Sequence, residues 1–322
     1  MKNSGNILKD YLVFVMILGL AIVTAAFEPK FLSPANLGNI MRQFGPLVLV
    51  ALGMTFVIVG GFIDLSVAGT INLVAVVTIS LIDPLGQAGA LAAGLALGCV
   101  CGALNALLIL TGGATTQAEA LFITFGMSTF YSSIALIYSG GSTMHFWDLK
   151  QPPDIFQAIG AGSVGPLSVS FVIFLVVLAI LWVFHTRTAA GRAISLTGGN
   201  KTAAHLAGVP VSRSIVLIYV IAGFMAALGA IVLFSRITTA APVIGAGFET
   251  NAILAVVVGG TTLKGGKGSV LRTVMGALLI ILLNNCLNLL GVSSYMQWAA
   301  RGAILVLAIW LDNRKEVQGN QL

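Results

Sequence analysis

The sequence has very few charged residues. Its 322 residues include 16 Lys or Arg and 10 Asp or Glu, which together make 8% of the chain, whereas a soluble domain carries roughly 25%. So few charges could not cover the surface of a water-soluble fold. The remaining composition agrees, because 58% of the residues are hydrophobic and the mean hydropathy is +1.03. This composition excludes disorder and a coiled coil, and it predicts an all-α polytopic integral membrane protein.

Cysteine and histidine are also scarce, with three of each. Cys99, Cys101 and Cys286 lie in apolar runs, where a free thiol behaves as a small hydrophobic side chain. The histidines are scattered and lack metal-ligand spacing. A disulfide-stabilised secreted fold and a metal site are therefore not expected, and no cofactor is predicted.

Known enzyme motifs are missing as well. The glycine-rich stretch 259–269 superficially suggests a phosphate-binding loop, but Gly268 follows Lys267 where a Walker A loop needs Ser or Thr. We interpret this stretch as a tight cytoplasmic turn. Since no nucleophile, metal or acid–base constellation is evident, a membrane-embedded enzyme is disfavoured. Any ATP hydrolysis is expected in a partner chain.

Apolar runs long enough to cross a membrane dominate the chain. A spanning helix needs about 20 apolar residues, and ten runs qualify as candidates. The third and eighth are interrupted by glycine, so either could be re-entrant, which leaves eight to ten crossings. Small residues repeat every four positions in 94–102 and 222–230, which predicts closely packed helices there. The ten runs are 11–27, 44–60, 65–82, 88–110, 118–139, 166–185, 214–235, 249–262, 269–290 and 296–312.

Basic residues predict the orientation of these spans. With ten crossings and the N-terminus inside, most Lys and Arg fall on the cytoplasmic side, so both termini are expected to be cytoplasmic. The first run could instead be a signal peptide, but its length and the poor cleavage site favour a retained helix. The net charge of +6 is thus a topology signal, and no nucleic-acid partner is expected. Segment 140–165 is predicted to be an ordered outer loop, and 186–213 a long cytoplasmic loop.

Within that cytoplasmic loop, residues 200–207 can form a short helix. Asn200 is suited to cap its N-terminus, and Gly208 followed by Pro210 would end it. Because this basic segment faces inward, it offers a surface on which a cytoplasmic partner could act.

A small set of polar residues lies within or beside the apolar runs. A charge there costs about 2.5–3.5 kcal/mol on insertion scales, so each needs a partner or water. Neutral amides bond either a hydroxylated solute or a neighbouring helix, and as a group they favour a neutral polar solute over an ion. The residues that we expect along a translocation pathway are Asp64, Ser66, Asn72, Asn105, Glu249, Asn251 and Asn288.

Several motifs, in order, resemble those of bacterial ABC-importer permeases for ribose, xylose, arabinose and related sugars. They comprise Pro29 to Ser33, residues 51–70, residues 191–209, residues 247–269, and Leu287 to Val292. The resemblance covers about residues 29–312. Departures from the usual pattern occur at Phe62, Ala68 and Glu119, and at Glu249-Thr250-Asn251, where the family has Glu-Leu-Asp. These departures affect the expected substrate more than the expected class of transporter.

The resemblance implies a single permease domain over residues 1–322 in the bacterial cytoplasmic (inner) membrane, with the ABC-importer permease fold. It also implies a second permease chain, identical or related, and ATP-binding subunits, as two copies or a tandem chain. A periplasmic or surface-anchored binding protein would deliver a monosaccharide or similar solute to the outer face. The residues expected to couple the ATPase are Arg192, Asn200, Lys201, Thr202, Ala203, Ala204, His205 and Gly208.

Two other functions remain open at this level. An ion-coupled secondary transporter would transport a small polar solute without an ATPase, although buried coupling carboxylates are few. An ABC permease could also carry a nucleoside or a signalling furanose instead of a sugar. The sequence does not separate these substrates.

Overall fold

The computed structural model describes residues 4–114, 116–304 and 306, with side chains from Val15 onward. Within these residues the chain is predominantly helical. The helices are α1 (Ser4–Phe27), α2 (Pro34–Val59), α3 (Val67–Ser80), α4 (Ile82–Thr111), α5 (Gln117–Ser139), α6 (Asp154–Ala161), α7 (Val169–Arg187), α8 (Ala189–Gly199), α9 (Lys201–Leu206), α10 (Val211–Ile237), α11 (Phe248–Val258), α12 (Val270–Leu289) and α13 (294–304).

Six of the described helices, α2, α4, α5, α7, α10 and α12, are long and apolar enough to cross a membrane. The uncertain runs 65–82 and 249–262 correspond to α3 and α11, which have only 14 and 11 residues. At 1.5 Å per residue they measure about 21 Å and 16 Å, less than the roughly 30 Å hydrocarbon layer. The last run, 296–312, lies partly outside the described residues. The number of ten crossings therefore stays a prediction.

The segment predicted to be an outer loop, 140–165, contains regular structure. Strand β1 (Met144–His145) pairs antiparallel with β4 (Thr239–Ala240), and β2 (Ser163–Val164) pairs with β3 (Leu167–Ser168). The helix α6 lies between these strands, and its buried Phe156 packs on Phe146 and Phe234. The segment is thus anchored to the end of α10.

Helices α2 and α10 form the centre of the bundle, with α4 packed on α10. Glycines on α4 allow this approach, because a Cβ at Gly102 would lie 2.8 Å from the carbonyl carbon of Tyr219 and closer still to its oxygen. Gly98 likewise faces Gly223 across the same contact. The close helix packing predicted from the small-residue repeats is confirmed.

Side-chain caps set several helix starts. Ser33 accepts a hydrogen bond from the backbone N–H of Asn36 at the start of α2. Thr116 and Glu119 form a capping box at α5, in which each side chain accepts from the other residue's backbone N–H. Such caps satisfy backbone donors that a helix leaves unpaired at its first turn.

Candidate functional site

The segment expected to contact an ATPase is two short helices rather than a loop. Thr188 Oγ1 accepts from the N–H of Gly191 at 3.0 Å and caps α8. Asn200 Oδ1 accepts from the N–H of Ala203 at 2.9 Å and caps α9. The predicted short helix and its Asn200 cap are therefore confirmed. Gly208, at φ +78°, lies just beyond α9, where a left-handed conformation favours glycine.

Most residues of the expected coupling set lie on the surface. Thr202, Ala203, His205 and Gly208 are exposed on or beside α9, and Arg192 is exposed on α8. Ala204 is buried and fixes the inner face of α9. The exposed side of α9 thus carries Thr202 and His205 together with the apolar Leu206, which is 82% exposed.

Lys201 differs from its neighbours because its side chain turns inward. Its Nζ atom lies 3.8 Å from the centre of the Phe62 ring, which is a cation–π geometry. Burial lowers the pKa of Lys201, and the negative charge of Glu119 opposes that shift. Lys201 therefore links α9 to the segment that joins α2 to α3.

A groove of about 690 Å³ runs beside α9. One wall is made by Leu196, Ala203 and Ala207, and the other includes Lys264 and Lys267 from the glycine-rich stretch. The lining combines apolar side chains with two lysines, which suits a protein segment carrying apolar and acidic side chains.

Three residues of the expected pathway set form a buried hydrogen-bond cluster. Asp64 Oδ1 accepts from the backbone N–H of Ser66 at 2.8 Å and from its hydroxyl at 2.6 Å. Asn105 Nδ2 donates to Ser66 Oγ at 2.6 Å. The hydroxyl of Tyr131 donates to Asn105 Oδ1 at 3.1 Å and to the carbonyl oxygen of Cys101 at 2.9 Å. The cluster joins the start of α3 to α4 and α5.

The cluster is sealed in this conformation. Asp64, Ser66 and Asn105 are each at most 2% exposed, and Tyr131 is 1% exposed. A solute could touch them only after the surrounding helices separate. Tyr131 was not anticipated from the sequence, although a tyrosine inside an apolar span signals a need for a hydrogen-bond partner.

The other four pathway residues lie elsewhere. Asn72 donates to Ser132 Oγ at 3.0 Å and accepts from the N–H of Gly245 at 2.7 Å, which ties α3 to α5 and to the turn before α11. Glu249 and Asn251 lie half-buried at the start of α11. Asn288 is exposed near the end of α12 and accepts from Gln297 Nε2 at 2.8 Å. The seven residues therefore do not form one site.

In the described part of the chain, no group of three or more His, Cys, Asp or Glu side chains could hold a metal ion. The hydrogen-bond cluster at Asp64 contains hydroxyl, amide and carboxyl groups, which bind polar solutes or join helices.

Comparison with a family described as the permease component of branched-chain amino acid transport systems gives a match over residues 36–309. The chain is 35% identical to the ribose import permease protein RbsC of Haemophilus influenzae, over 97% of this chain and 98% of that protein. It is 33% identical to the D-allose transport system permease protein AlsC of Escherichia coli K12, over 93% and 90%. Identity to the galactose/methyl galactoside import permease protein MglC of the same strain is 31%, over 98% and 97%.

A solved structure shares the fold. It is an ABC transporter described as metal-chelate type, in an inward-facing conformation, and the TM-score is 0.51 at 14% sequence identity. The alignment covers 94% of this chain and 98% of that one. At this identity the likeness concerns the arrangement of helices alone.

Proposed function

The chain belongs to the family of branched-chain amino acid transport system permease components, and on this basis we propose that it is the permease subunit of an ATP-driven importer of a monosaccharide. The observation that carries the proposal is the similarity, over nearly the whole of each chain, to permeases named for ribose, allose and galactose.

The polar groups of the chain support a sugar over the amino acid in the family description. An amino acid carries an ammonium and a carboxylate, and each would need an opposite charge in a low-dielectric path. The Asp64 cluster consists of one carboxyl group with hydroxyl, amide and carbonyl groups, and it includes no basic side chain that could pair with the carboxylate of an amino acid. Such groups match a solute rich in hydroxyls.

The transporter would be an assembly in the bacterial cytoplasmic membrane. Two permease chains would enclose the pathway, and ATP-binding subunits would dock on α8, α9 and the adjoining groove. A binding protein would deliver the sugar at the opposite face, where segment 140–165 is expected. Both chain termini would then lie in the cytoplasm.

Sugar uptake and its energy source test this proposal together. We would delete the chain in its native host and measure uptake of radiolabelled ribose, allose and galactose, with and without plasmid-borne chain. Restored uptake of one sugar that depends on ATP and survives a protonophore is expected. Uptake that a protonophore abolishes while ATP is maintained would favour the ion-coupled alternative and reject the importer.

A second experiment tests the docking surface. The tagged chain is extracted in mild detergent after crosslinking, and an ATP-binding subunit is expected in stoichiometric amount. Arg192→Glu and Thr202→Asp should reduce its recovery. Lys30→Glu, a charge reversal at an exposed lysine in the turn before α2, is the matched control. Equal recovery in all variants would exclude α8 and α9 as the docking surface.

A further inference from the structure

Three pairs of glycines are in contact just beyond the C-terminal end of α2. They are Gly60 and Gly61 after α2, Gly198 and Gly199 at the end of α8, and Gly265 and Gly266 in the glycine-rich stretch, and we call them the glycine junction. A Cβ at Gly198 would lie 2.7 Å from the carbonyl carbon of Gly60 and closer still to the oxygen of Val59. The backbones of α8 and α2 are therefore in direct contact.

The glycine-rich stretch completes this contact. The N–H of Gly266 donates to the carbonyl oxygen of Val59 at 2.7 Å. A Cβ at Gly265 would lie 2.7 Å from Gly61 Cα, and one at Gly266 would lie 2.7 Å from Gly199 Cα. Gly265 and Gly266 also have φ of +86° and +76°, which favour glycine. The motif that failed as a phosphate loop is thus required for backbone packing.

Next to the glycine junction, one side-chain contact joins α9 to the segment after α2. Lys201 on α9 lies against the ring of Phe62, and Phe62 is fully buried against Tyr219 on α10, with ring centres 5.9 Å apart. A fully buried ring in a close-packed interior cannot absorb a displacement by moving into free space. A displacement of α9 that carries the Lys201 ammonium would therefore act on the Phe62 ring and, through it, on the backbone at Phe62.

Phe62 lies two residues before Asp64. Just beyond it, Leu65 is tied to α5 through Thr124, whose hydroxyl accepts from the N–H of Leu65 at 3.0 Å and donates to the carbonyl oxygen of Leu121 within α5 at 3.1 Å. The segment from Phe62 to Ser66 is thus a short, packed connection between α9 and the sealed Asp64 cluster. No flexible linker interrupts it.

We infer that Phe62 and Lys201 are positioning residues that transmit movement of α8 and α9 to the Asp64 cluster. The glycine junction is the rigid contact through which α2 moves together with α8. The inference rests on the proposed function. It adds that the ATPase opens the cluster through this contact, and that the contact sets how much solute moves per ATP hydrolysed.

The test compares transport with ATP hydrolysis. The sugar uptake rate of complemented cells is divided by the ATPase rate of the complex purified from those cells. Phe62→Leu is the decisive change, because Phe62 is buried and cannot touch an ATPase. We expect the ratio to fall about tenfold, because the cation–π contact of the half-buried Lys201 lies between the exposed and the desolvated cases. Phe174→Leu, at a buried phenylalanine that packs on Phe44 between α7 and α2, is the matched control and should keep the ratio.

Lys201 variants keep the test valid if Phe62→Leu fails to fold. Lys201→Met should lower the ratio as Phe62→Leu does, and Lys201→Arg should keep it, because guanidinium also stacks on an aromatic face. The double variant Phe62→Leu/Lys201→Met should lower the ratio by less than the two single changes combined, since both remove the shared contact, while Lys201→Met also removes the charge that interacts with Glu119.

The outcomes separate the inference from the proposed function. An unchanged ratio in Phe62→Leu or Lys201→Met, or additive losses in the double variant, would overturn the inference while the importer stands. Absence of ATP-dependent uptake in the unmodified chain would reject the importer itself.

Discussion

Gly102 on α4 offers a sharp test of the packing between α4 and α10. In Gly102→Ala the new methyl group would meet the carbonyl group of Tyr219, and its distance to the carbonyl carbon would be 2.8 Å where 3.4 Å is an ordinary contact. The obstacle is backbone, so it cannot rotate away. The two helices must therefore separate by roughly 1 Å along this contact, which disturbs the packing of the whole interface.

The loss of stability caused by the clash can be measured against a control substitution at another helical glycine. Gly126 on α5 has no atom within 4 Å of its added Cβ and is exposed. Both changes replace a helical glycine by alanine, so the gain in helix propensity of up to about 1 kcal/mol is common to the two variants. The difference between them then reports the clash, for which overpacking predicts about 1–3 kcal/mol.

The assay is unfolding of the detergent-solubilised chain by a rising fraction of SDS, followed by far-UV circular dichroism. We expect Gly102→Ala to unfold earlier than the unmodified chain and Gly126→Ala to unfold at the same point or later. If Gly102→Ala were as stable as Gly126→Ala, the close contact between α4 and α10 would be wrong.

Three further substitutions test other parts of the structure. Asn200→Ala removes the cap of α9 and should weaken recovery of the ATP-binding subunit about fivefold, in line with a cap loss of about 1 kcal/mol. Asn200→Asp keeps a capping oxygen and should keep the recovery. Equal recovery with Asn200→Ala and with the unmodified chain would show that the cap is dispensable. Asn36 and Asn285 exchange amide hydrogen bonds of 3.0 Å and 2.8 Å, so Asn285→Leu should destabilise the chain by about 1–2 kcal/mol in the SDS assay because both bonds are lost; a variant as stable as the unmodified chain would refute this pairing. Asn105→Leu should abolish sugar uptake and lower the SDS fraction at which the chain unfolds. Tyr131→Phe should have a smaller effect on both, because Ser66 keeps its hydrogen bond from Asn105. Equal effects of the two changes would contradict the central place of Asn105 in the cluster.

Local features were predictable from the sequence because their causes are local. Long apolar runs predict the spanning helices, small residues at four-residue spacing predict the approach of α4 to α10, and Asn200 predicts the start of α9. Each depends on residues within one or two helical turns.

Features that depend on distant residues were not predictable in the same way. Asn36 pairs with Asn285 across 249 positions, and Asn105 finds Tyr131 only because α4 and α5 pack together. The amides could be recognised as groups that need partners, but the partner is set by topology. The same holds for Gly265 and Gly266, whose backbone contacts with α2 and α8 are invisible in a reading of their own stretch.

The lengths of the short helices were predicted least accurately from the sequence. Hydropathy continues through Gly-Gly turns such as Gly259 and Gly260, so an apolar run overstates the helix that it contains. The structure ends α11 at Val258 and begins α3 only at Val67. Irregular backbone at these points is tolerated because other helices cover it: residues 60 to 66 lie largely buried between α8, α10 and α5.

The irregular segment between α2 and α3 also explains how a sealed cluster could open at low cost. Three hydrogen bonds, from Asn105 to Ser66, from Tyr131 to Asn105 and from Leu65 to Thr124, hold it across helices, and such bonds average about 0.6 kcal/mol each within membranes. Breaking all three costs about 2 kcal/mol, within the 1–3 kcal/mol typical of coupling between two sites. A regular helix through residues 60–66 would instead have to break its own backbone ladder to move. The interruption at Gly60 and Gly61 therefore places a segment without a backbone ladder of its own between the docking surface and the cluster.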